Sequence, residues 1–430
     1  MPSTLPEAES PYRNFVRGSN EYHNGKEPPY TPITMVDRNG SVLCETDQFD
    51  LLGAIIYRDD VTTLEQHLDI ALWVIEEIEE LPLYYSFFYI AVSHGSLGAL
   101  RTLLSYYGAF PSDVVARAHE DSSGKPETVL SMAFEWAGSK MIERLVSGGA
   151  DVHAEFTKHS LQLRLYDEQD YIIDNVTAIH MASFRGNFVA LETLLDQHGD
   201  TVIALEMVSS CDSRGSTPLH WAARNNLYNP NLQEIAQNIK TTIHLILDID
   251  PAIVNVQDIE GNTALHYAAR YFGENVEVSR PIFQSLCDKG ADSSIHNNRG
   301  ETPLHDIFSS DGTDETIDKQ ILSLLLAHGA KVNDIDHAGN TPLHITVRRL
   351  DYHNIMSFLI ERGGDATIGN SANETPVHVA ASGDVSTPVL AEKVEIQNGV
   401  LTTLTNEFWQ APRLAHLFPL SMSNAVIIRT

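Results

Sequence analysis

The chain has 430 residues, of which 43% are hydrophobic and 20% are charged, and this composition is typical of a globular protein and excludes wholesale disorder. It contains 28 lysine and arginine residues against 58 aspartate and glutamate residues, so its formal net charge is −30. Because so acidic a protein repels phosphate backbones and anionic lipids, we expect neither a nucleic acid nor a membrane among its partners.

The N-terminal region, residues 1–48, is predicted to be a polar extension that contains prolines. Its first ten residues have neither the basic start nor the apolar run of a secretory signal, and the longest nearly apolar stretch, Leu81 to Val92, is too short to cross a bilayer. The three cysteines, Cys44, Cys211 and Cys287, are spaced too widely for a disulfide framework or a zinc cluster. We therefore expect an intracellular protein, cytoplasmic or nuclear, with reduced thiols.

Six copies of one tetrapeptide, Thr-(Pro/Ala)-hydrophobic-His, follow one another from residue 177 onward. Their first and last residues are Thr177 and His180, Thr217 and His220, Thr263 and His266, Thr302 and His305, Thr341 and His344, and Thr375 and His378. Threonine is suited to cap a helix, proline to occupy its first turn, and the hydrophobic residue with the alanine beyond histidine to form its buried face. Apolar segments that end in glycine, such as Leu324 to Ala330, predict a second helix that ends at a left-handed glycine.

This pattern resembles the ankyrin repeat, whose unit is a β-turn followed by two antiparallel helices with a T-P-L-H-x-A signature. The resemblance implies an all-α repeat solenoid in which ankyrin repeats stack into a curved array. One such repeat cannot bury its own hydrophobic stripe, so its neighbours supply the core. The resemblance also implies protein binding as the function, but it names no partner, because the scaffold serves many unrelated functions.

Weaker copies of the same frame precede the clear ones. Thr128 begins a copy in which Ser131 replaces the histidine, Ser86 begins a less regular copy, and Asp50 begins a first, capping unit. The ankyrin-repeat domain is therefore predicted to span residues 49–384, with six clear and two to three degenerate repeats. The remaining residues, 385–430, are too apolar for a solvated linker, and we expect them to form a C-terminal capping segment on the last repeat.

The spacing of the motifs exceeds the 33-residue ankyrin period, and the extra residues can be placed. After Thr217 they fall in Asn225 to Lys240, where they lengthen the helix pair or its connecting loop. After Thr177 they fall beyond Leu195, in the crossing to the next hairpin. We interpret these insertions as tolerated growth rather than as a functional marker.

The 19 histidines do not predict a metal site. Six of them are the repeat histidine, whose ring typically joins its own turn to the neighbouring backbone, and successive copies lie one repeat apart, well beyond the ~2 Å ligand distances of zinc. The sequence has no phosphate-loop, dinucleotide, zinc-protease or serine-hydrolase motif. We interpret the paired carboxylates Asp248 and Asp250 as structural. The sequence therefore predicts no catalytic residue, no metal, no cofactor and no enzymatic activity.

The resemblance does suggest where a partner binds. In an ankyrin repeat the seventh and eighth positions after the motif threonine end the inner helix and face the concave groove that binds partners. Those positions supply Arg185, Arg224, Arg270, Tyr271, Arg348 and Arg349. Trp221 and Tyr267 lie one turn earlier on the same face and add the aromatic groups that binding hot spots favour. A basic stripe in so acidic a chain predicts an acidic or phosphorylated segment of another protein as the partner.

We therefore interpret the chain as a non-enzymatic scaffold that binds another protein through its concave groove and its hairpin tips. The tips include Arg214, Glu260, Arg299 and His337. One alternative is an accessory or regulatory subunit of an enzyme or pathway, which an apolar tail that docks on another chain would favour. A less favoured alternative is an enzyme of unfamiliar type, with a pocket between the insertions and the tail.

Overall fold

The computed structural model describes eleven segments of the chain and one isolated residue. They are residues 32–36, 42–71, 87–107, 115–116, 127–159, 172–198, 201–224, 232–270, 276–309, 317–348, 353–382 and 402. The chain divides into two compact units, Met1–Asp151 and Val152–Thr430. The predicted capping segment, 385–430, lies outside the described residues apart from residue 402. No helix in the described segments is long and apolar enough to cross a bilayer.

The described part of the first unit consists of a β-hairpin, three helix pairs and a short strand pair. Strands β1 (Pro32–Val36) and β2 (Val42–Asp47) pair antiparallel, so the predicted polar extension contains a hairpin that its composition did not indicate. The helix pairs are α1 (Gln48–Tyr57) with α2 (Val61–Ala71), α3 (Phe87–Ser93) with α4 (Leu97–Tyr107), and α5 (Val129–Trp136) with α6 (Ser139–Ser147). Strands β3 (Val115–Ala116) and β4 (Glu127–Thr128) pair ahead of α5.

The core of the first unit is built by successive inner helices, α1, α3 and α5, which contact one another in that order. Leu52, Ile90 and Phe134 come from these three helices and are almost fully buried. Each helix is too short to form a core by itself, so the neighbouring helix pairs complete it. The helix pairs of this unit therefore stack in succession, although their motif is incomplete.

Helix α5 shows what the degenerate motif retains. Oγ1 of Thr128 accepts a hydrogen bond from the backbone N–H of Ser131, and Oγ of Ser131 accepts one from the backbone N–H of Thr128, both at 3.1 Å. Oγ of Ser131 also donates to the carbonyl of Thr128 at 2.7 Å. Serine thus replaces histidine in capping the helix, but all three bonds lie within its own turn, because its side chain is short.

The second unit begins with an antiparallel hairpin of strands β5 (Phe156–His159) and β6 (Ile172–Val176). The helices that follow are α7 (Ala178–Arg185), α8 (Phe188–His198), α9 (Thr201–Val208), α10 (Pro218–Ala223), α11 (Leu232–Ile249), α12 (Ala264–Arg270), α13 (Val276–Asp288), α14 (Pro303–Ser309), α15 (Lys319–Ala327), α16 (Pro342–Arg348), α17 (His353–Glu361) and α18 (Pro376–Ser382). A 3₁₀ helix at Pro251–Asn255 follows α11. Six of these helices start directly after a motif threonine, as predicted.

These six are the inner helices α7, α10, α12, α14, α16 and α18, and each contacts the next. The outer helices α8, α11, α13 and α15 also contact in succession, so the second unit is a stack of helix pairs. Neighbouring repeats together bury side chains of the inner helices, such as Leu219, Leu265, Leu304 and Leu343. The repeat stack that the sequence predicted is present in this unit.

The caps and the insertions also lie where the sequence placed them. Pro218 occupies the first turn of α10, and Gly329, after the outer helix α15, has φ +114°, a conformation that a side chain disfavours. The extra residues after Thr217 extend an outer helix, because α11 has 18 residues. Those after Thr177 form an additional helix, α9, in the crossing to the next hairpin.

Candidate functional site

The repeat histidines join each repeat of the second unit to the next. Their Nε2 atoms lie near main-chain carbonyl oxygens of the following hairpin: His180 to Ser216 at 3.2 Å, His220 to Asn262 at 3.1 Å, His266 to Glu301 at 3.1 Å, His305 to Asn340 at 3.3 Å and His344 to Glu374 at 3.0 Å. A carbonyl oxygen only accepts hydrogen bonds, so Nε2 carries the proton. Nδ1 then accepts from the motif threonine, as in the 3.1 Å bond from the backbone N–H of Thr263 to His266.

Burial keeps these rings neutral. It lowers the pKa of His180 to about 4 and that of His266 to about 3, and it is also the main cause of the lowered pKa of His220, His305 and His344. A charged ring would lose the lone pair that accepts from the threonine and would be poorly solvated there. Both ring nitrogens of these histidines are therefore used in hydrogen bonds within and between the repeats. This agrees with the interpretation that these histidines are structural.

The hairpin tips of the second unit are joined by one main-chain hydrogen bond per repeat. The backbone N–H groups of Ile259, Asn298, His337 and Ser371 donate to the carbonyls of Arg214, Glu260, Arg299 and Ala338 at 2.8 to 2.9 Å. Two of the predicted tip residues, Arg214 and Glu260, form an ion pair with each other, and Nε of Arg299 donates to Glu301 at 2.7 Å. The tips therefore form a continuous row that displays side chains, including the exposed Ile259.

Carboxylates at the base of two hairpins attach them to the inner helices. Oδ1 of Asp212 accepts from the backbone N–H of Arg214 and Ser216, and Oδ2 accepts from Nε1 of Trp221 at 2.9 Å. Asp258 repeats the arrangement in the next hairpin, where Oδ2 accepts from the hydroxyl of Tyr267 at 2.6 Å.

These contacts correct the prediction that Trp221 and Tyr267 present aromatic surface to a partner. Their side chains are 1% and 2% exposed. Burial also raises the pKa of Tyr267, so its hydroxyl keeps the proton that it donates. The two rings were assigned to the correct face, but their polar atoms bond to the hairpin and their apolar surface is used inside the stack.

The hairpin of β5 and β6 explains part of this burial. Its residues Phe156, Ile173 and Val176 form one buried cluster with Met181 and Phe184 of α7 and with Trp221 of α10. The ring centroids of Phe184 and Trp221 are 5.9 Å apart in an edge-to-face contact. Side chains of the hairpin therefore pack against the inner helices α7 and α10, a feature that the motif spacing did not indicate.

Two of the predicted groove arginines lie in this region. Arg224 is only 3% exposed, so the prediction that it is exposed is wrong; its Cζ lies 5.1 Å from the ring centroid of Tyr267, the distance of a cation–π contact. Arg185 ends α7 in a half-buried position, with Cζ 5.4 Å from the ring centroid of Phe184. The guanidinium group of Arg185 therefore lies over the ring of the preceding residue, and that of Arg224 lies over a ring from the next repeat.

Arg270 forms an ion pair with a carboxylate that the sequence analysis missed. Its Nη2 lies 3.2 Å and 3.4 Å from the two carboxylate oxygens of Asp306, and 3.2 Å from Oδ1 of Asn262. Nη2 of Arg299 lies 3.8 Å from Oδ1 of the same aspartate. Asp306 is 1% exposed, and burial raises its pKa to about 6 against the opposing effect of the arginines.

Of the remaining predicted groove residues, one lies in the described part of the chain. Arg348 ends α16 and is exposed, whereas Arg349 and Tyr271 lie outside the described residues. Among the described residues, the arginines of the predicted row therefore have different surroundings: Arg224 is buried, Arg270 is ion-paired and Arg348 is exposed. A sequence signal for the missed residue existed: Asp306 follows the repeat histidine at the position that Trp221 and Tyr267 occupy in the two preceding repeats.

The stacked helix pairs of the second unit agree with the comparison of the chain with known protein families. Residues 277–370 match the family model of ankyrin repeats, in three copies. No curated protein matches the chain. Within the described segments, no group of three or more histidine, cysteine, aspartate and glutamate side chains is arranged to hold a metal ion.

Proposed function

We propose, on the premise that residues 277–370 are ankyrin repeats, that this protein binds another protein and has no enzymatic activity of its own. Ankyrin repeats generally mediate protein–protein interactions. The fold alone names no partner, so the proposal depends on which side chains the stack leaves exposed.

The observation that supports binding is that titratable groups of the repeats are engaged in hydrogen bonds within the protein. Five of the six repeat histidines, from His180 to His344, are buried and have both ring nitrogens in hydrogen bonds, and Asp212 and Asp258 accept from backbone and aromatic donors. A general base needs an available lone pair near the reacting atom, and these groups do not offer one. The exposed side chains are instead those of the hairpin tips and helix ends, including Ile259, Arg299 and Arg348.

The partner surface in this proposal begins at the repeat of Thr263. Side chains of the hairpin of β5 and β6 pack against the inner helices of the two repeats before it, whereas Arg270 is 23% exposed and Arg299 is 62% exposed. In this proposal the repeats that follow present to the partner a concave face formed by the inner helices and hairpins. A partner segment that lies along this face contacts several repeats at once, which is how such scaffolds obtain affinity.

The partner's segment is acidic or phosphorylated in this proposal. Arg299 and Arg348 are exposed in a chain of net charge −30, and guanidinium groups bind carboxylate and phosphate through paired hydrogen bonds. An acidic body repels such a segment elsewhere, so the contrast in charge supplies specificity.

The test is capture of partners from the native cell by the full chain, followed by mass spectrometry, with two charge-reversed variants in parallel. One variant carries Arg299→Glu and Arg348→Glu. The matched control carries Lys319→Glu and Lys331→Glu, which change the net charge equally at exposed positions of the outer helix α15 and the loop after it. We expect the first variant to lose the partner by more than tenfold and the control to retain it.

Equal loss in both variants, or no loss in either, would show that the arginines serve solubility and that the partner binds elsewhere. Turnover of a substrate by the purified chain would overturn the non-enzymatic part of the proposal. A captured enzyme whose activity changes on binding would favour the alternative of a regulatory subunit.

A further inference from the structure

Asp306 departs from the chain's own pattern at the position after the repeat histidine. The same position holds Met181, Trp221, Tyr267 and Ile345 in other repeats, so the stack does not need an acid there. A carboxylate that is 1% exposed is costly unless it is paired. Its presence therefore requires an explanation beyond packing.

Two arginines from two successive repeats meet at this carboxylate. Nη2 of Arg270, at the end of α12, and Nη2 of Arg299, in the next hairpin, lie 3.2 Å and 3.8 Å from the same Oδ1 of Asp306. Glu301 binds Nε of Arg299 from the same hairpin. The cluster thus brings together two guanidinium groups, both partly exposed, and one carboxylate that solvent does not reach.

The charge of the cluster changes near neutral pH. The pKa of Asp306 is raised to about 6: burial is the main cause and Glu301 also raises it, whereas Arg270 and Arg299 lower it. These are the charged groups that act on Asp306 from α12 and from the hairpin before α14. Above this pH two carboxylates offset two arginines, whereas protonation of Asp306 leaves one positive charge in excess. When Asp306 is protonated, the excess positive charge attracts an anion that approaches Arg299, whereas the cluster with an ionised Asp306 has no net charge to attract it.

We propose that Arg270 and Arg299 form a binding site for a carboxylate side chain of the partner's segment, and that protonation of Asp306 strengthens binding there. This proposal rests on the function proposed above and specifies its ligand chemistry. Asp306 takes up one proton from solvent when the segment binds. The partner's carboxylate remains ionised and accepts hydrogen bonds from Arg299. Asp306 is a positioning residue, because it acts through the arginines.

The experiment measures binding of a rhodamine-labelled, glutamate-rich peptide to the full chain at pH 7.5 and pH 6.0. If the peptide bound only the protonated form, affinity would rise by about 15-fold between these values for a pKa of about 6, which sets the ceiling. The variant Asp306→Asn should bind more tightly than the wild type at pH 7.5 and should lose the pH dependence. Arg299→Gln should weaken binding, whereas the exposed control Lys331→Gln should not.

A misfolded variant loses binding rather than gaining it, so the gain expected for Asp306→Asn keeps the test decisive. Unchanged or weaker binding by Asp306→Asn would overturn the proposal. So would a pH dependence that persists in this variant, since it would assign the effect to a group other than Asp306.

A phosphoserine peptide forms the second arm of the measurement. Phosphate loses charge near pH 6, so it should not show the same rise in affinity. Binding of this peptide alone would replace the carboxylate with phosphate as the ligand and overturn the assignment. The capture experiment shares Arg299 with this site but does not involve Asp306, so a failure of the proposed function can be distinguished from a failure of this proposal.

Discussion

Acid should unfold the second unit because its buried histidines must be neutral to bridge the repeats. An unfolded histidine has a pKa near 6.5, whereas that of His180 is about 4 and that of His266 about 3 in the folded chain. Their folded-state pKa values are depressed, so the stability they contribute is present above pH 6.5 and is lost as the pH falls toward the folded values. Each costs about 1.4 kcal/mol per pH unit within that window.

By pH 5 these two histidines together should lower the free energy of unfolding by about 4 kcal/mol. Asp306 acts in the opposite direction, because its folded-state pKa is raised to about 6. Its protonation should raise the free energy of unfolding by about 1 kcal/mol between pH 7 and pH 5. His220, His305 and His344 add to the loss, since their pKa values are also lowered. The net effect is a steep decrease in stability.

The assay is urea unfolding followed by circular dichroism at pH 7.5, 6.0 and 5.0. The variant His266→Gln removes one titrating ring, so its stability should fall less between pH 7.5 and pH 5.0 than that of the wild type. The exposed His337→Gln is the matched control and should follow the wild type. A free energy of unfolding that stays constant or rises between pH 6.5 and pH 5 would refute the role of the buried rings, as would identical pH profiles for His266→Gln and the wild type.

Three further outcomes are expected. Leu265→Ala removes a buried side chain from an internal repeat and should cost about 2–5 kcal/mol in urea unfolding; a loss of a few tenths would contradict the packing. Gly261→Ala should lower the thermal midpoint more than Gly290→Ala. Both glycines have positive φ, but of the two only Gly261 lies so close to backbone that an added Cβ would be 2.7 Å from N of Asn298. Equal shifts of the midpoint would count against the hairpin contact. Deletion of residues 385–430 should lower the thermal midpoint if they cap the stack, and an unchanged midpoint with unchanged solubility would refute capping.

The sequence alone determined the repeats of the second unit. The tetrapeptide fixes a helix start through local interactions, because a threonine cap, a proline in the first turn and a histidine three positions later act within four residues. The caps at Thr217 and Thr341 and the positions of the insertions followed from these short-range rules. Spacing also assigned Arg270 and Trp221 to the ends and faces of the correct helices.

Only the tertiary structure decided which of those side chains are exposed. Burial of Trp221 and Arg224 depends on Asp212, Tyr267 and the hairpin of β5 and β6, which belong to other elements of the chain. A helical periodicity states which face a residue occupies, but it carries no information about what covers that face.

The same limit applies to Asp306. Its charge depends on two arginines, Arg270 and Arg299, that lie 36 and 7 residues before it in the chain. The free energy of a buried carboxylate is set by those neighbours and by the loss of water, and both arise only when the repeats stack.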